Sequence, residues 1–240
     1  MNTRRDFLST LGAGSAALLA TATTDAATDP SAPAATARPY TPVHTPNGWR
    51  LPYRLRDGVK EFHLVAEEIE HEFAPGCVAK CWGYNGTTPG PTLEAVEGDR
   101  VRIYVTNRLR EATSIHWHGI LLPSGMDGVA GLSQPPIEPG ETFAYEFTLN
   151  QHGTHMYHPH ADELVQLATG MMGLFVIHPR DGRDAVDRDY ALMLHNWALH
   201  PGTYRPDPTI MLDFDLWSFN SKVFPATAPL VARSGERVRI

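Results

Sequence analysis

Two pairs of histidines carry the clearest chemical signal in the sequence. Each pair has one residue between its members, and the four histidines are His116, His118, His158 and His160. Residues i and i+2 of a β-strand lie on the same face of its sheet, so each pair is expected to point two imidazoles the same way. Ile115 and Trp117 are then expected to pack on the opposite face. Two such pairs on neighbouring strands would bring four imidazoles together.

Converging imidazoles are metal ligands. Neutral imidazole suits copper, zinc, iron and nickel. No cysteine or carboxylate is adjacent to either pair in the sequence, whereas structural zinc sites usually recruit cysteine, so the pattern favours copper. The alternative for a single pair is two ordinary surface or core histidines. Two pairs flanked by aromatic residues argue for the metal site.

The elements that would position these histidines are predicted to be strands. Apolar and polar residues alternate at 62–66, 101–105 and 143–149, and residues 173–177 form a continuous apolar run suited to a buried strand. Glycine and proline are abundant, with 20 of each, and they cluster between the predicted strands. No long stretch has helical periodicity. The sequence therefore predicts an all-β sandwich or barrel.

Charge and length limit the possible partners. The formal net charge is −7 over 240 residues, which argues against a nucleic-acid partner, since such proteins carry a basic surface. Beyond the first two dozen residues no segment is long and apolar enough to span a bilayer, which takes about 20 residues. We expect no stable membrane span in the mature protein.

The amino terminus has the layout of an export signal. Arg4 and Arg5 precede a short apolar run from Leu8 to about Ala22, and residues 1–27 resemble a twin-arginine signal. Residues 28–46 are predicted to be a flexible linker. The expected location is the periplasm or the cell exterior, reached by the twin-arginine route.

The chain contains an internal repeat. Trp82 and Asn85 recur as Trp217 and Asn220, and the segment from Gly98 to Ile103 recurs from Gly235 to Ile240. The simplest interpretation is a duplicated domain of roughly 135 residues, within the usual size range of domains. We expect a first domain at 47–182 and the truncated start of a second at 183–240. The second copy stops inside a predicted strand, so the chain is expected to be a fragment.

Several short motifs, in order, resemble the first cupredoxin domain of multicopper oxidases over roughly residues 50 to 180. They are Asn85-Gly86, Pro89-Gly90-Pro91, His116-Trp117-His118-Gly119, Met126-Asp127-Gly128, Pro136-Ile137-Glu138-Pro139-Gly140, Tyr157-His158-Pro159-His160 and Gly173-Leu174. The resemblance implies a Greek-key β-sandwich. It also implies that the chain forms part of a copper-dependent oxidase.

Roles for the individual residues follow from the same resemblance. It implies that His116 binds a type 2 copper and that His118, His158 and His160 bind the type 3 pair. Asp127 resembles the outer acid that helps protons reach oxygen intermediates. A turn residue preceding Gly128 is the alternative role for Asp127, and the two roles are compatible.

The implied enzyme oxidises a phenolic, cuprous or other reductant and reduces dioxygen to water at a trinuclear copper site. Its type 1 copper needs a cysteine with two histidines. The chain has only Cys77 and Cys81, and neither is next to a histidine. The type 1 copper is therefore expected beyond Ile240. The chain is expected to supply half of the trinuclear site and to be inactive as an oxidase alone.

Other interpretations of the whole protein remain open. A two-domain oxidase would resemble homotrimeric members of the family, and a three-domain chain is the alternative. A copper nitrite reductase would carry a cysteine beside a ligand histidine in the first domain, which this chain lacks. The competing function is a non-catalytic copper-binding or envelope structural protein of cupredoxin fold.

The remaining candidate residues have ordinary structural alternatives. Cys77 and Cys81 could form a disulfide if their Cα atoms approach within about 7 Å. His155 could support the second histidine pair from outside it. His195 and His200 are expected to have local structural roles, and Met171 with Met172 is expected to be core and not a methionine copper site.

Overall fold

The computed structural model describes residues 40–183, 185–199 and 204–240. The predicted export signal and residues 28–39 of the predicted linker lie outside these ranges. The strands, in chain order, are β1 (Arg54–Arg56), β2 (Val59–Ala74), β3 (Cys77–Tyr84), β4 (Gly90–Val96), β5 (Arg100–Asn107), β6 (His116–His118), β7 (Thr142–Thr148), β8 (Gly153–His158), β9 (Gly173–His178), β10 (Arg188–Asp189), β11 (Leu194–Trp197), β12 (Leu216–Phe219) and β13 (Val238–Arg239). One short helix, α1 (Glu163–Ala168), follows β8, and a 3-10 turn covers Ser124–Met126.

Two mixed sheets form the main body of the fold. The first has the order β1-β2-β5-β7, and β3 pairs with the second half of the long strand β2. The second has the order β4-β9-β8-β6. Strands β2 and β5 are parallel, as are β4 and β9, and the other pairs within these sheets are antiparallel. Strand β6, which carries the first histidine pair, is therefore at the edge of the second sheet.

The apolar core lies between the two sheets. Ile103 and Phe147 enter it from the first sheet, and Trp117 and Phe175 enter it from the second. Residues between these buried positions face outward: Arg102 binds Glu61 and Glu146 across the outer face of the first sheet. The alternation predicts the buried faces correctly because side chains of successive strand residues point to opposite sides. The predicted all-β sandwich is confirmed.

The last part of the predicted linker is not free of the domain. The Val43 N–H donates to the buried Glu94 carboxylate at 2.7 Å, and the Thr45 and Thr92 hydroxyls are 2.7 Å apart. Tyr40 stacks on His178 with ring centroids 3.9 Å apart. The prediction of a flexible linker reaching residue 46 is therefore wrong for residues 40–46, because buried polar groups of the second sheet hold this segment.

The internal repeat extends from sequence to backbone geometry. Asn85 accepts a hydrogen bond from the Val65 N–H, and Asn220 accepts one from the Met193 N–H. Both asparagines have positive φ, 51° and 50°. The structure therefore gives the repeated asparagine the same turn in each copy.

A repeated ion pair accompanies the repeated asparagine. Arg102 pairs with Glu61 between parallel strands β5 and β2, and Arg239 pairs with Asp189 between parallel strands β13 and β10. The match supports the predicted duplication. The domain limits at 47–182 and 183–240 remain a proposal.

A second apolar cluster joins residues after 190 to the outer side of the sandwich. Trp197 of β11 is fully buried against Phe73 of β2, with ring centroids 4.8 Å apart. Met172 belongs to this cluster and Met171 to the main core, so both are core residues as predicted. None of the described helices is long and apolar enough to cross a membrane.

Cys77 and Cys81 do not form a disulfide. Both lie in β3 and both are free. Four residues of strand span about 13 Å, well beyond the separation that a disulfide bridges. Burial raises the pKa of Cys81 to about 12, so this thiol stays protonated and behaves as a core side chain.

Candidate metal centre

Strand β6 separates its two faces as predicted. Trp117 is fully buried and packs edge-on against Tyr145 with ring centroids 5.2 Å apart. His116 and His118 point to the other side, where the first is partly buried and the second is exposed. The buried indole fixes the strand, and strand geometry then turns both imidazoles to one face.

Pairing between β6 and β8 brings the second histidine motif to the first. His116 lies directly opposite His158 in the antiparallel register, and their ring centroids are 5.3 Å apart. The His118 ring centroid is 5.5 Å from that of His116 and 5.4 Å from that of His158. The predicted meeting of the two motifs is present in the structure.

Three of the histidines lie close enough to belong to one metal centre. One ring nitrogen from each of His116, His118 and His158 lies within 4.8 Å of the other two. The His118 Nδ1 is 3.1 Å from the His158 Nε2. At this distance one ring nitrogen can donate a hydrogen bond to the other. The same two nitrogens are also close enough to act as ligands in one metal centre.

His160 takes a different position from the one predicted. Strand β8 ends at His158, so His160 lies in the following loop and does not share a strand face with it. The His160 ring is still 5.5 Å from His116 and 6.5 Å from His158 by centroid distance. Pro159 explains the difference, because it has no N–H to continue the ladder. His160 therefore lies next to His116 and His158 but is not part of strand β8.

Asp127 reaches His116 through two groups. The 3-10 turn at Ser124–Met126 brings the Asp127 carbonyl oxygen to 2.8 Å from the His116 Nδ1. One oxygen of its carboxylate is 3.4 Å from the same nitrogen. The carbonyl oxygen can only accept, so Nδ1 donates and the lone pair of His116 is on Nε2.

Gly128 allows this approach. Its φ is +83°, and a Cβ there would lie 1.7 Å from the carbonyl oxygen of Ile115. The turn after Asp127 therefore passes too close to the start of β6 for any side chain. The glycine of the Met-Asp-Gly motif is explained by this contact.

His158 is held in a similar manner. Its Nδ1 donates to the Pro159 carbonyl at 2.9 Å, and a Glu163 carboxylate oxygen is 3.7 Å from that nitrogen. Burial lowers the pKa of His158, with further lowering from His116 and His118, and these effects outweigh the Pro159 carbonyl and Glu163, which raise it. The neutral ring is favoured, which is the form that binds metal.

Tyr157 anchors the end of β8. Its ring lies between Gly90 and Gly173, where a Cβ would come within 2.5 Å and 2.2 Å of its atoms. Its hydroxyl donates to the Pro91 carbonyl at 2.8 Å. The sequence motifs include Gly90 and Gly173 but do not predict that these glycines make room for the Tyr157 ring.

Two further histidines lie apart from the group of three. The His155 Nε2 is 3.4 Å from the Gln151 amide nitrogen, and the ring borders Gly119 and Gly153. His195 packs edge-on against Trp197 at a centroid distance of 4.5 Å. His200 lies outside the described residues.

Glu163 and α1 are the part of the site that sequence reasoning missed. Glu163 begins the helix, and its carboxylate also lies 3.9 Å from the His160 Nε2. It lines an apolar cavity of about 450 Å³ together with Leu164, Leu167, Leu194, His195, Ile210 and Phe214. The spacing of an acidic residue three positions after His160 was the available signal.

Comparisons with known proteins agree with this geometry. A family model described as multicopper oxidase matches residues 66–182. Copper resistance protein A of Escherichia coli is 47% identical over 115 residues, which are 48% of this chain and 19% of the relative. An L-ascorbate oxidase of Brassica rapa subsp. pekinensis is 39% identical over 155 residues, covering 61% of this chain and 26% of the relative.

A solved structure gives the same relationship in three dimensions. The blue copper oxidase from Nitrosomonas europaea superposes with a TM-score of 0.67 at 32% identity, covering 74% of this chain and 58% of that one. The matched part of this chain spans about a fifth to a quarter of the length of the curated relatives. The fold is cupredoxin-like, as predicted. These matches show that residues 66–182 of the chain form a domain of the multicopper oxidase family.

Proposed function

We propose that the chain supplies half of a trinuclear copper site at which dioxygen is reduced to water. In this proposal His116 binds the type 2 copper, and His118, His158 and His160 bind the type 3 pair. Asp127 serves as the outer acid that assists proton delivery. The observation that carries the proposal is the convergence of ring nitrogens from His116, His118 and His158 within 4.8 Å.

The residues present fit copper. The donors are imidazoles, which bind copper in proteins. The lowered pKa of His158 favours its neutral form, and the Asp127 carbonyl fixes the donor nitrogen of His116. Such outer contacts orient metal ligands and tune their basicity. Bound copper would supply one-electron redox chemistry, while these residues hold and orient the ligands.

The remaining parts of the proposal concern the whole protein. A phenolic, cuprous or other reductant supplies electrons through a type 1 copper, for which neither Cys77 nor Cys81 is suitable. Both cysteines lie in β3, and no histidine is next to either of them in the sequence. We propose that the type 1 site lies outside this chain.

Location and assembly are proposed on the same basis. The twin-arginine-like sequence at residues 1–27 supports export to the periplasm or the cell exterior. A two-domain form of the protein would be a homotrimer. The relatives named for copper resistance support a role in handling copper.

Copper titration of the 240-residue chain tests the site. We expect Cu(II) binding, measured as metal per chain after gel filtration, and its loss in His158→Ala. His63→Ala is the matched control, because His63 is exposed on β2 and bonds Thr106. An unmodified chain that retains no copper, or a His158→Ala chain that retains all of it, would contradict the proposal.

The alternative is a non-catalytic copper-binding or envelope protein. A non-catalytic copper-binding protein would also bind copper through this chain, so oxygen consumption by the whole protein separates it from an oxidase. We expect reductant-dependent oxygen uptake by the whole protein and none by the isolated 240 residues. A copper-loaded whole protein that consumes no oxygen with phenolic or cuprous reductants would favour the alternative.

A further inference from the structure

We propose that Glu163 is a positioning residue of the copper site and has at His158 the role that Asp127 has at His116. The inference rests on the proposed function. Asp127 belongs to a motif that the sequence already marked, whereas Glu163 belongs to a helix that no motif marks. The role of Glu163 is inferred from its contacts with His158, which match those of Asp127 with His116.

The two directly opposed histidines have the same environment at Nδ1. In His116 this nitrogen faces the Asp127 carbonyl at 2.8 Å and a carboxylate oxygen of Asp127 at 3.4 Å. In His158 it faces the Pro159 carbonyl at 2.9 Å and a carboxylate oxygen of Glu163 at 3.7 Å. In each ring a carbonyl oxygen and a carboxylate oxygen therefore lie near Nδ1, and Nε2 is the nitrogen left to bind a metal ion.

This arrangement selects the metal-binding form of each ring. An acceptor behind Nδ1 keeps the hydrogen there and leaves the Nε2 lone pair free for a metal ion. The His158 Nε2 is the atom that lies 3.1 Å from the His118 Nδ1. If copper were bound, the carboxylate near Nδ1 would also offset positive charge on the ring.

Glu163 makes one contact that Asp127 does not. Its second carboxylate oxygen is 3.9 Å from the His160 Nε2. The His158 and His160 rings are nearly parallel, at 23°, with centroids 6.5 Å apart. Because His160 lies beyond the end of β8, the ladder does not orient it. One carboxylate that reaches both rings can set the spacing between them.

Helix α1 is fastened so that Glu163 stays in this place. Gln166 is fully buried, accepts a hydrogen bond from the Thr113 hydroxyl at 2.6 Å and donates one to the Ala112 carbonyl at 2.8 Å. Residues 112–113 lead directly into β6. Since positions i and i+3 share a helix face, Gln166 ties the Glu163 side of α1 to the segment that carries His116.

The test compares Cu(II) affinity of the full 240-residue chain and its variants by competition with a chelator. Glu163→Gln keeps the side-chain shape and removes the charge, and we expect its affinity to fall about 10-fold, as for other outer contacts of metal ligands. Asp162→Asn is the matched control. It removes the same charge one residue away, and asparagine suits the left-handed backbone at Asp162, where φ is 46°.

Two further measurements separate positioning from folding and from the metal site itself. Thermal unfolding of the metal-free Glu163→Gln chain should match that of the unmodified chain, and the electron paramagnetic resonance spectrum of bound Cu(II) should change. Equal losses of affinity in Glu163→Gln and Asp162→Asn, or unchanged affinity in Glu163→Gln, would overturn the inference while leaving the proposed function intact. Failure of the unmodified chain to bind copper would overturn both.

Discussion

His116 and His158 are directly opposed residues of the β6–β8 ladder, with ring centroids 5.3 Å apart. The register of two short strands therefore decides where the histidines of the two motifs meet. A slip of one residue would turn one motif to the other face of the sheet. Two buried aromatic side chains prevent this, because Trp117 and Tyr157 also oppose each other on the core face.

Gly128→Ala is expected to destabilise the turn behind His116. The new Cβ would lie 1.7 Å from the Ile115 carbonyl oxygen at a φ of +83°, and strain together with overpacking should cost about 2–5 kcal/mol in the free energy of unfolding. Gly131→Ala is the control, because Gly131 has a φ of +79° and nothing within 4 Å of its added Cβ. Urea unfolding checks both, and similar losses for the two variants would show that the contact with Ile115 does not matter.

Tyr157→Phe and Tyr84→Phe should have different effects although the two rings are neighbours, with centroids 5.3 Å apart. The Tyr157 hydroxyl donates to the Pro91 carbonyl, and its loss should cost about 1–3 kcal/mol in unfolding free energy. The buried Tyr84 hydroxyl has no hydrogen-bond partner within the described part of the chain. Tyr84→Phe should therefore be neutral or stabilising. Equal destabilisation by both changes, measured by chemical unfolding, would contradict the assignment.

The pH dependence of stability should include a contribution from His195. Burial lowers the pKa of His195 from 6.5 to about 4. Between these values the unfolded chain binds a proton that the folded chain does not, so the free energy of unfolding falls as the pH falls. The complete loss by pH 4 is on the order of 3 kcal/mol.

His195→Phe removes this titration and keeps a ring against Trp197. Unfolding free energies measured from pH 7 to pH 4.5 should fall less steeply in His195→Phe than in the unmodified chain. His63→Phe, on the exposed face of β2, is the control. Parallel pH profiles for the unmodified chain and His195→Phe would refute the contribution.

Glu94→Gln should release the segment before β1. Burial by itself raises the pKa of Glu94, but hydrogen bonds from His178, Arg50 and the Val43 N–H outweigh it, so the net pKa is lowered. The stabilisation is therefore present above the ordinary carboxyl pKa of 4.5 and is lost as the pH falls through the lower folded value. Removing the buried charge should cost about 3–5 kcal/mol.

Limited proteolysis followed by mass spectrometry checks where Glu94→Gln acts. We expect faster cleavage between residues 40 and 50, because Arg50 loses its ionic partner and the single amide oxygen of glutamine cannot replace both carboxylate oxygens that Val43, Arg50 and His178 use. Glu97→Gln is the control, since Glu97 is partly exposed and pairs with His152 at 3.5 Å, a contact worth about 1 kcal/mol or less. Unchanged cleavage in Glu94→Gln would contradict the proposed hold on this segment.

The sequence by itself determined the strand faces and identified the candidate metal ligands. Strict alternation at 101–105 and 143–149 identified the buried faces, because a strand has a period of two residues that is visible locally. The same period showed that His116 and His118 point away from Trp117. The repeated asparagine at positions 85 and 220 also predicted a repeated structure that the backbone reproduces.

Only the tertiary structure decided which groups contact the outer nitrogens of the candidate ligands His116 and His158. The approach of Glu163 to His158 depends on α1, whose place is fixed by contacts of Gln166 with residues more than 50 positions earlier. The hydrogen bond from the Val43 N–H to the Glu94 carboxylate joins residues that are 51 positions apart. The exclusion of a disulfide between Cys77 and Cys81 depends on their sharing an extended strand. Local period and side-chain chemistry can be read along a chain, but contacts between distant segments are set by how sheets and helices pack, and no local pattern encodes that packing.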